Sequence, residues 1–160
     1  MPKTDQNNSI TPLNLPPRAL QMGRNARGQV TVYDPLRHKW IVLTPEEWVR
    51  QHFVAHLVAD HGYPPSLLAN EVGVNLNGLR RRCDTVVWNA GTGAPLMIVE
   101  YKAPSVSLTR RVFDQIVRYN MVLRAPYLIV SNGMTHYCCS VDCEKGTYAF
   151  LPEIPDYCKL

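Results

Sequence analysis

Two neighbouring apolar runs, each carrying one acid, constrain this chain more than any other feature. The first is Arg80-Arg81-Arg82-Cys83-Asp84-Thr85-Val86-Val87-Trp88, and the second is Leu96-Met97-Ile98-Val99-Glu100-Tyr101-Lys102. The Gly-rich segment between them, Asn89 to Pro95, reads as the turn of a β-hairpin. A hairpin pivoting on Thr92 leaves positions 84 and 100 equally far from the turn, so Asp84 and Glu100 fall opposite each other. Alternation along the strand puts Glu100 and Lys102 on one face. Two carboxylates and a lysine then meet at one end of a largely apolar hairpin. Charges are rarely buried without a partner, and a divalent metal ion would supply one. Val86, Trp88, Leu96 and Ile98 line one hairpin face, and Val87, Met97 and Val99 line the other. Strands apolar on both faces are covered on both. The expected fold is therefore α/β, a central mixed sheet flanked by helices.

The remaining elements follow from pattern. Gln29 to Tyr33 and Lys39 to Leu43, around Asp34-Pro35, predict an N-terminal β-hairpin. Thr44-Pro45-Glu46-Glu47 is a capping box that opens a helix running to Gly62. Ser66 to Ala69 reads as a short helical turn and Asn70 to Asn75 as a strand. Ser107 or Thr109 caps a second helix to about Leu123, where Gln115 and Tyr119 lie four apart on one face. Strands are expected over 127–130, 135–141 and 147–151. Residues 1–17 are polar and Pro-rich, and they read as a flexible arm that Leu13 and Leu15 could pin to the body. That leaves 18–160 as a single domain, and at 160 residues the chain can bury a real core.

Charge and cysteines narrow the class. A net charge of +4 permits an anionic partner without demanding one. Arg80, Arg81, Arg82, Arg110 and Arg111 could rim a phosphate-binding surface. The five cysteines are odd in number, form no C-x-x-C pair, and follow no visible signal peptide. Reduced thiols and a cytoplasmic location are the expectation. No apolar run reaches the roughly 20 residues that span a bilayer, so no membrane partner is expected. His52 and His56 have metal-ligand spacing but lack an H-E-x-x-H motif. Cys138 and Cys139, beside His136 and Cys143, are adjacent on a predicted strand and point to opposite faces, which argues against a zinc knot.

The order helix, strand, hairpin with Asp and Glu-x-Lys, helix, strand resembles the PD-(D/E)XK nuclease superfamily. More closely, the chain resembles the N-terminal nuclease domain of type I restriction enzyme R subunits, from about Val32 to Pro152. The matching pieces are Thr44 to Gln51, Asn70-Glu71-Val72, Arg82-Cys83-Asp84, Ile98 to Pro104, and Gln115-Ile116-Val117-Arg118-Tyr119. The superfamily's proline before the aspartate is Cys83 here. No Gly-x-x-x-x-Gly-Lys-Ser/Thr phosphate loop is present, so the expectation is a stand-alone domain without a motor.

The resemblance implies a restriction-endonuclease-like αβββαβ core and Mg²⁺-dependent hydrolysis of DNA phosphodiesters, with Mn²⁺ able to substitute. Asp84 and Glu100 suit the metal, since Mg²⁺ favours one or two protein carboxylates plus waters. By resemblance the backbone carbonyl of Tyr101 is a third ligand, and Glu47 completes the metal shell. Lys102 would orient the attacking water or stabilise the transition state. Gln115 would position water or phosphate, with Tyr119 beside it against the nucleic acid. Glu71 is either a further acid of the site or the partner of a nearby arginine. Implied partners are DNA, a second copy of the chain, and restriction-modification subunits. The alternative is a non-catalytic nucleic-acid-binding or partner-docking module that keeps the nuclease fold.

Overall fold

The computed structural model describes residues 10–160; residues 1–9, part of the expected arm, lie outside the described residues. A small antiparallel sheet comes first, ordered β1 (Met22–Arg24), β2 (Val30–Asp34), β3 (Lys39–Val42). The predicted hairpin is β2–β3, paired from Thr31↔Val42 to Asp34↔Lys39. The sequence pattern did not give β1, whose three residues hold no apolar alternation. It forms by pairing Gly23 with Thr31, and the Trp40 ring lies so close that a Cβ at Gly23 would come within 3.1 Å.

Helix α1 (Pro45–His61) begins where the capping residues place it, with Thr44 Oγ1 accepting from the Glu47 amide at 3.1 Å. Only half of the expected capping box forms. The Glu47 carboxylate turns instead to Arg37 and Gln51. The helix stops at Gly62, in the left-handed region at φ 71, and the Tyr63 amide bonds back to the Leu57 carbonyl at 3.1 Å. The buried Tyr63 ring packs in the same cluster as Leu57, the apolar contact that accompanies this kind of helix end.

The main sheet has six strands in chain order: β4 (Leu68–Leu76), β5 (Leu79–Trp88), β6 (Pro95–Tyr101), β7 (Tyr127–Ser131), β8 (His136–Asp142) and β9 (Thr147–Phe150). Only β6 and β7 run parallel, and the crossover that a parallel pair requires is helix α2 (Arg110–Met121). The helical turn expected over 66–69 shrinks to a 3₁₀ turn at Pro65–Leu67. Leu68 and Ala69 join β4 because they pair with Val87 and Val86. Asn77 and Gly78, at φ 51 and 79, turn β4 into β5, as an Asn-Gly hairpin turn does.

Both sheet faces are covered. Val49, Phe53 and Leu57 of α1 pack on Val87, Met97, Val99, Tyr101 and Ile129. Phe113 and Val117 of α2 pack on Val86, Ile98, Leu128 and Val130. Met97, Ile98 and Val99 are fully buried, each such side chain contributing about 1.5–3 kcal/mol. The start of the described chain is tied to this body. The Asn14 amide bonds to the Gly133 carbonyl at 2.8 Å and the Trp48 indole to the Thr11 carbonyl at 2.9 Å, with Leu13 and Leu15 packed on the core. All five cysteines are free. No helix among the described residues is long and apolar enough to cross a membrane.

Candidate functional site

The β5–β6 ladder pairs Thr85↔Val99, Val86↔Ile98 and Val87↔Met97, with a bulge between Val87 and Trp88 that leaves Trp88 facing Pro95. One step further in that register, Asp84 stands opposite Glu100. Asp84 Oδ2 accepts from the Tyr101 amide at 2.8 Å, fixing it at the end of β6. Glu100 is half-buried, and its Oε1 is sealed from solvent with no hydrogen-bond partner among the described residues. Burial, followed by the Asp84 carboxylate, pushes the Glu100 pKa up to about 9. The Asn120 amide and the Lys102 charge act in the opposite direction and do not offset it. Neighbouring Cys83 is fully buried, and burial with the two carboxylates raises its thiol to about 12, so it is a neutral packing group.

The same row continues into β4. Asn70 pairs with Thr85 and Val72 with Cys83, so Glu71 stands opposite Asp84. Glu71 has φ 55, a conformation rare for a non-glycine residue. Its carboxylate goes to Arg50 at 2.5 Å and to Arg82 at 2.6 Å. Burial alone would raise its pKa, but the two arginines leave it below the ordinary value.

Arg50 is the centre of the arrangement and was not singled out from the sequence. It is 4% exposed, on the sheet-facing side of α1, and its guanidinium lies 3.8 Å from both Asp84 Oδ1 and Glu47 Oε2. Burial disfavours its charge, yet Glu47, Glu71 and Asp84 outweigh that and raise its pKa. Two of its nitrogens, Nε and Nη1, have no hydrogen-bond partner among the described residues. The helical stripe offered the signal: position 50 is one turn before Phe53 and Val54 and two before Leu57.

A second polar chain fixes the backbone around this row. Asp34, fully buried at the end of β2, binds Arg37 and accepts from Asn70 Nδ2 at 3.0 Å. Thr85 donates to Asn70 at 2.7 Å and accepts from the Tyr101 hydroxyl at 3.0 Å. Arg37 reaches on to Glu47. The N-terminal hairpin is thereby joined to α1, β4, β5 and β6.

The other predicted site residues are placed as follows. Lys102 is half-buried just past β6, its amide bonded to the Ser131 carbonyl at 2.9 Å, and its charge acts on Glu100. Gln115 is exposed on α2; the α2 side chain that faces Glu100 is buried Asn120, which sequence reasoning missed. Tyr119 lies under the Arg81 guanidinium, 4.2 Å from its ring centre. Arg80 and Arg82 flank it on β5, beyond the last residues of that strand paired with β6. Arg110 and Arg111 open α2 about 15 Å from Asn120 at 1.5 Å per residue. Arg110 lines a groove of about 540 Å³ between α2 and β9. Among the described residues, no three His, Cys, Asp or Glu side chains gather into a metal-holding group.

No curated protein matches the chain. A family model, described as the type I restriction enzyme R protein N terminus, matches residues 45–155. The match begins with α1 and ends past β9, so it contains Glu47, Arg50, Glu71, Asp84, Glu100 and Lys102. The mixed six-stranded sheet between two helices is a nuclease-like α/β fold. With more than two thirds of its length matched, this chain belongs to the family of type I restriction enzyme R protein N-terminal domains.

Proposed function

We propose that this domain is a metal-dependent endonuclease that hydrolyses DNA phosphodiester bonds at the Asp84–Glu100 row. One observation carries the reading: Asp84 and Glu100 stand opposed, and Glu100 has a sealed and unpartnered oxygen and a pKa raised by burial and by the Asp84 carboxylate. A divalent cation between the two would relieve their mutual repulsion. Its donors are hard oxygens, and Mg²⁺ or Mn²⁺ takes one or two protein carboxylates while keeping waters. Asp84, Glu100 and the Tyr101 carbonyl would hold the ion. When bound there, it would acidify a coordinated water and neutralise phosphate oxygens.

The chain's own residues do the rest. Lys102 brings a positive charge beside Glu100, where it can orient a water or steady charge building on phosphorus. Glu47 and Glu71 hold Arg50 against Asp84, so both act as positioning residues for the carboxylate row. Arg80, Arg81 and Arg82, with Tyr119 beneath Arg81, present cations to a phosphate backbone, contacts that position DNA without reading sequence. Gln115 is exposed on the same helix as Tyr119 and can reach a substrate phosphate.

Plasmid and linear DNA incubated with the protein in Mg²⁺ or Mn²⁺ test the reading. Wild type should cut, and Asp84→Ala and Lys102→Ala should each lose about 10²-fold or more, the scale of removing one electrostatic stabiliser. Equal behaviour of all three would sink the catalytic reading. A second reading, a nucleic-acid-binding or partner-docking module without catalysis, is favoured by Arg50, whose charge already lies beside Asp84. Salt-sensitive DNA binding indifferent to metal and to Asp84→Ala would support that instead.

A further inference from the structure

The far end of α1 carries two histidines that the carboxylate row does not use. Helical spacing pointed to His52 and His56, but His52 is buried, with Nδ1 on the Trp48 carbonyl at 2.9 Å and its ring against Trp48. The partner of His56 is His61, at the last residue of the helix. Their Nε2 atoms are 3.2 Å apart, with the rings edge to face at 86°. The other nitrogen of each ring is taken by a carboxylate. His56 Nδ1 lies 2.6 Å from Asp60 Oδ2, and His61 Nδ1 lies 3.0 Å from Asp156 Oδ1. A carboxylate only accepts, so each Nδ1 carries the hydrogen. Each neutral ring then presents a lone pair at Nε2, and two lone pairs face each other at hydrogen-bonding distance. A proton on one Nε2, or a metal ion held between the two, relieves that arrangement.

We propose that His56 and His61 form a two-histidine site for a divalent transition metal of the zinc class, with Asp60 and Asp156 orienting the rings and water completing the coordination. Imidazole nitrogen suits this class of ion. Zinc–imidazole bonds of about 2.0–2.1 Å place two tetrahedral nitrogens about 3.3 Å apart, close to the spacing between these two Nε2 atoms. A metal-binding histidine that gives its other N–H to a carboxylate is the usual supporting arrangement, and both rings have it. The site is also pre-assembled from distant parts of the chain. Arg18 pairs with Asp60, and the Tyr63 hydroxyl donates to the Pro155 carbonyl at 2.8 Å, next to Asp156. Both histidine side chains are partly open to solvent, at 17% and 19% exposure, so waters can reach the ion. The pair lies about 14–21 Å along α1 from Glu47 at 1.5 Å per residue, which separates it from the carboxylate row. Both ligands lie on the last two turns of α1, and the C-terminal segment contributes only Asp156, which orients His61.

Isothermal titration of Zn²⁺ into the full-length, chelator-treated protein tests this. Wild type should take one ion per chain, in the presence of saturating Mg²⁺ and equally in Asp84→Ala. His56→Ala and His61→Gln should each abolish uptake, and Asp156→Asn should weaken it by about 10–100-fold. Circular dichroism verifies that the variants fold, and His61→Gln, at the helix end, serves if His56→Ala does not. The proposal fails if wild type takes up no Zn²⁺, in which case the two rings share only a proton. It fails equally if uptake survives loss of either histidine, or if Cys158→Ser, at the exposed free thiol two residues after Asp156, abolishes it with both histidines intact.

Discussion

Glu100 shows how one side chain links the fold to the proposed chemistry. Its pKa in the folded state, about 9, lies above the ordinary 4.5, because burial and Asp84 disfavour its charge. Below 4.5 both folded and unfolded chains keep the proton, and the stabilisation is fully present. Between 4.5 and about 9 the unfolded chain releases a proton that the folded one retains, so stability falls as pH rises, by about 1.4 kcal/mol per pH unit. Urea denaturation without divalent metal should show this fall in wild type. Glu100→Gln should remove it and be the more stable protein at pH 8; an identical slope in both would contradict the assignment. Arg50 is the opposite case. Its charge is buried among Glu47, Glu71 and Asp84, so Arg50→Met removes the cation they share, leaving Glu47 to Arg37, Glu71 to Arg82 and Asp84 without an arginine. The expected cost is about 3–5 kcal/mol, the range for breaking a buried ion pair from one side, read from the same denaturation curves.

At the scale of elements, the β4–β5 hairpin runs on past β6, pairing Asn75 with Arg80 and turning at Asn77-Gly78. Its three arginines are tied down to different degrees: Arg82 to Glu71, Arg81 over Tyr119, and Arg80 exposed. If this hairpin follows a phosphate backbone, Arg80→Ala should weaken DNA binding evenly across sequences and lower the salt slope by about 1. Filter binding over a range of salt concentrations checks it, and an unchanged slope removes Arg80 from the interface. The register of β5 and β6 was legible because Thr92 centres a short turn, and turn position sets the register of a hairpin. The extent of β4 was less so, since Leu68 and Ala69 also read as a helical turn until Val87 and Val86 pair with them. The half-formed capping box has the same origin: Thr44 acts locally, whereas Glu47 is drawn to Arg37, ten residues away in sequence on another hairpin.

Across the whole molecule, the nuclease-like fold and the central Asp84–Glu100 row could be read from the order of elements. The network around them could not. Arg50 reaches Glu71 and Asp84, and Asp34 reaches Asn70, through contacts that exist only once the helix and the small sheet have docked. Asn120 is a polar residue on the buried face of α2, and only the docked sheet shows that Glu100 is its partner. Glu71 was open between two roles in the sequence, and its left-handed backbone turns it to Arg50 and Arg82. In the proposed chemistry Asp84 and Glu100 hold a metal ion between them. Anomalous scattering from a crystal of the protein soaked in Mn²⁺ tests it most directly. A peak in contact with both carboxylates and the Tyr101 carbonyl is the expected result; a saturating soak with no peak there, and Arg50 still beside Asp84, would contradict a metal role for the pair.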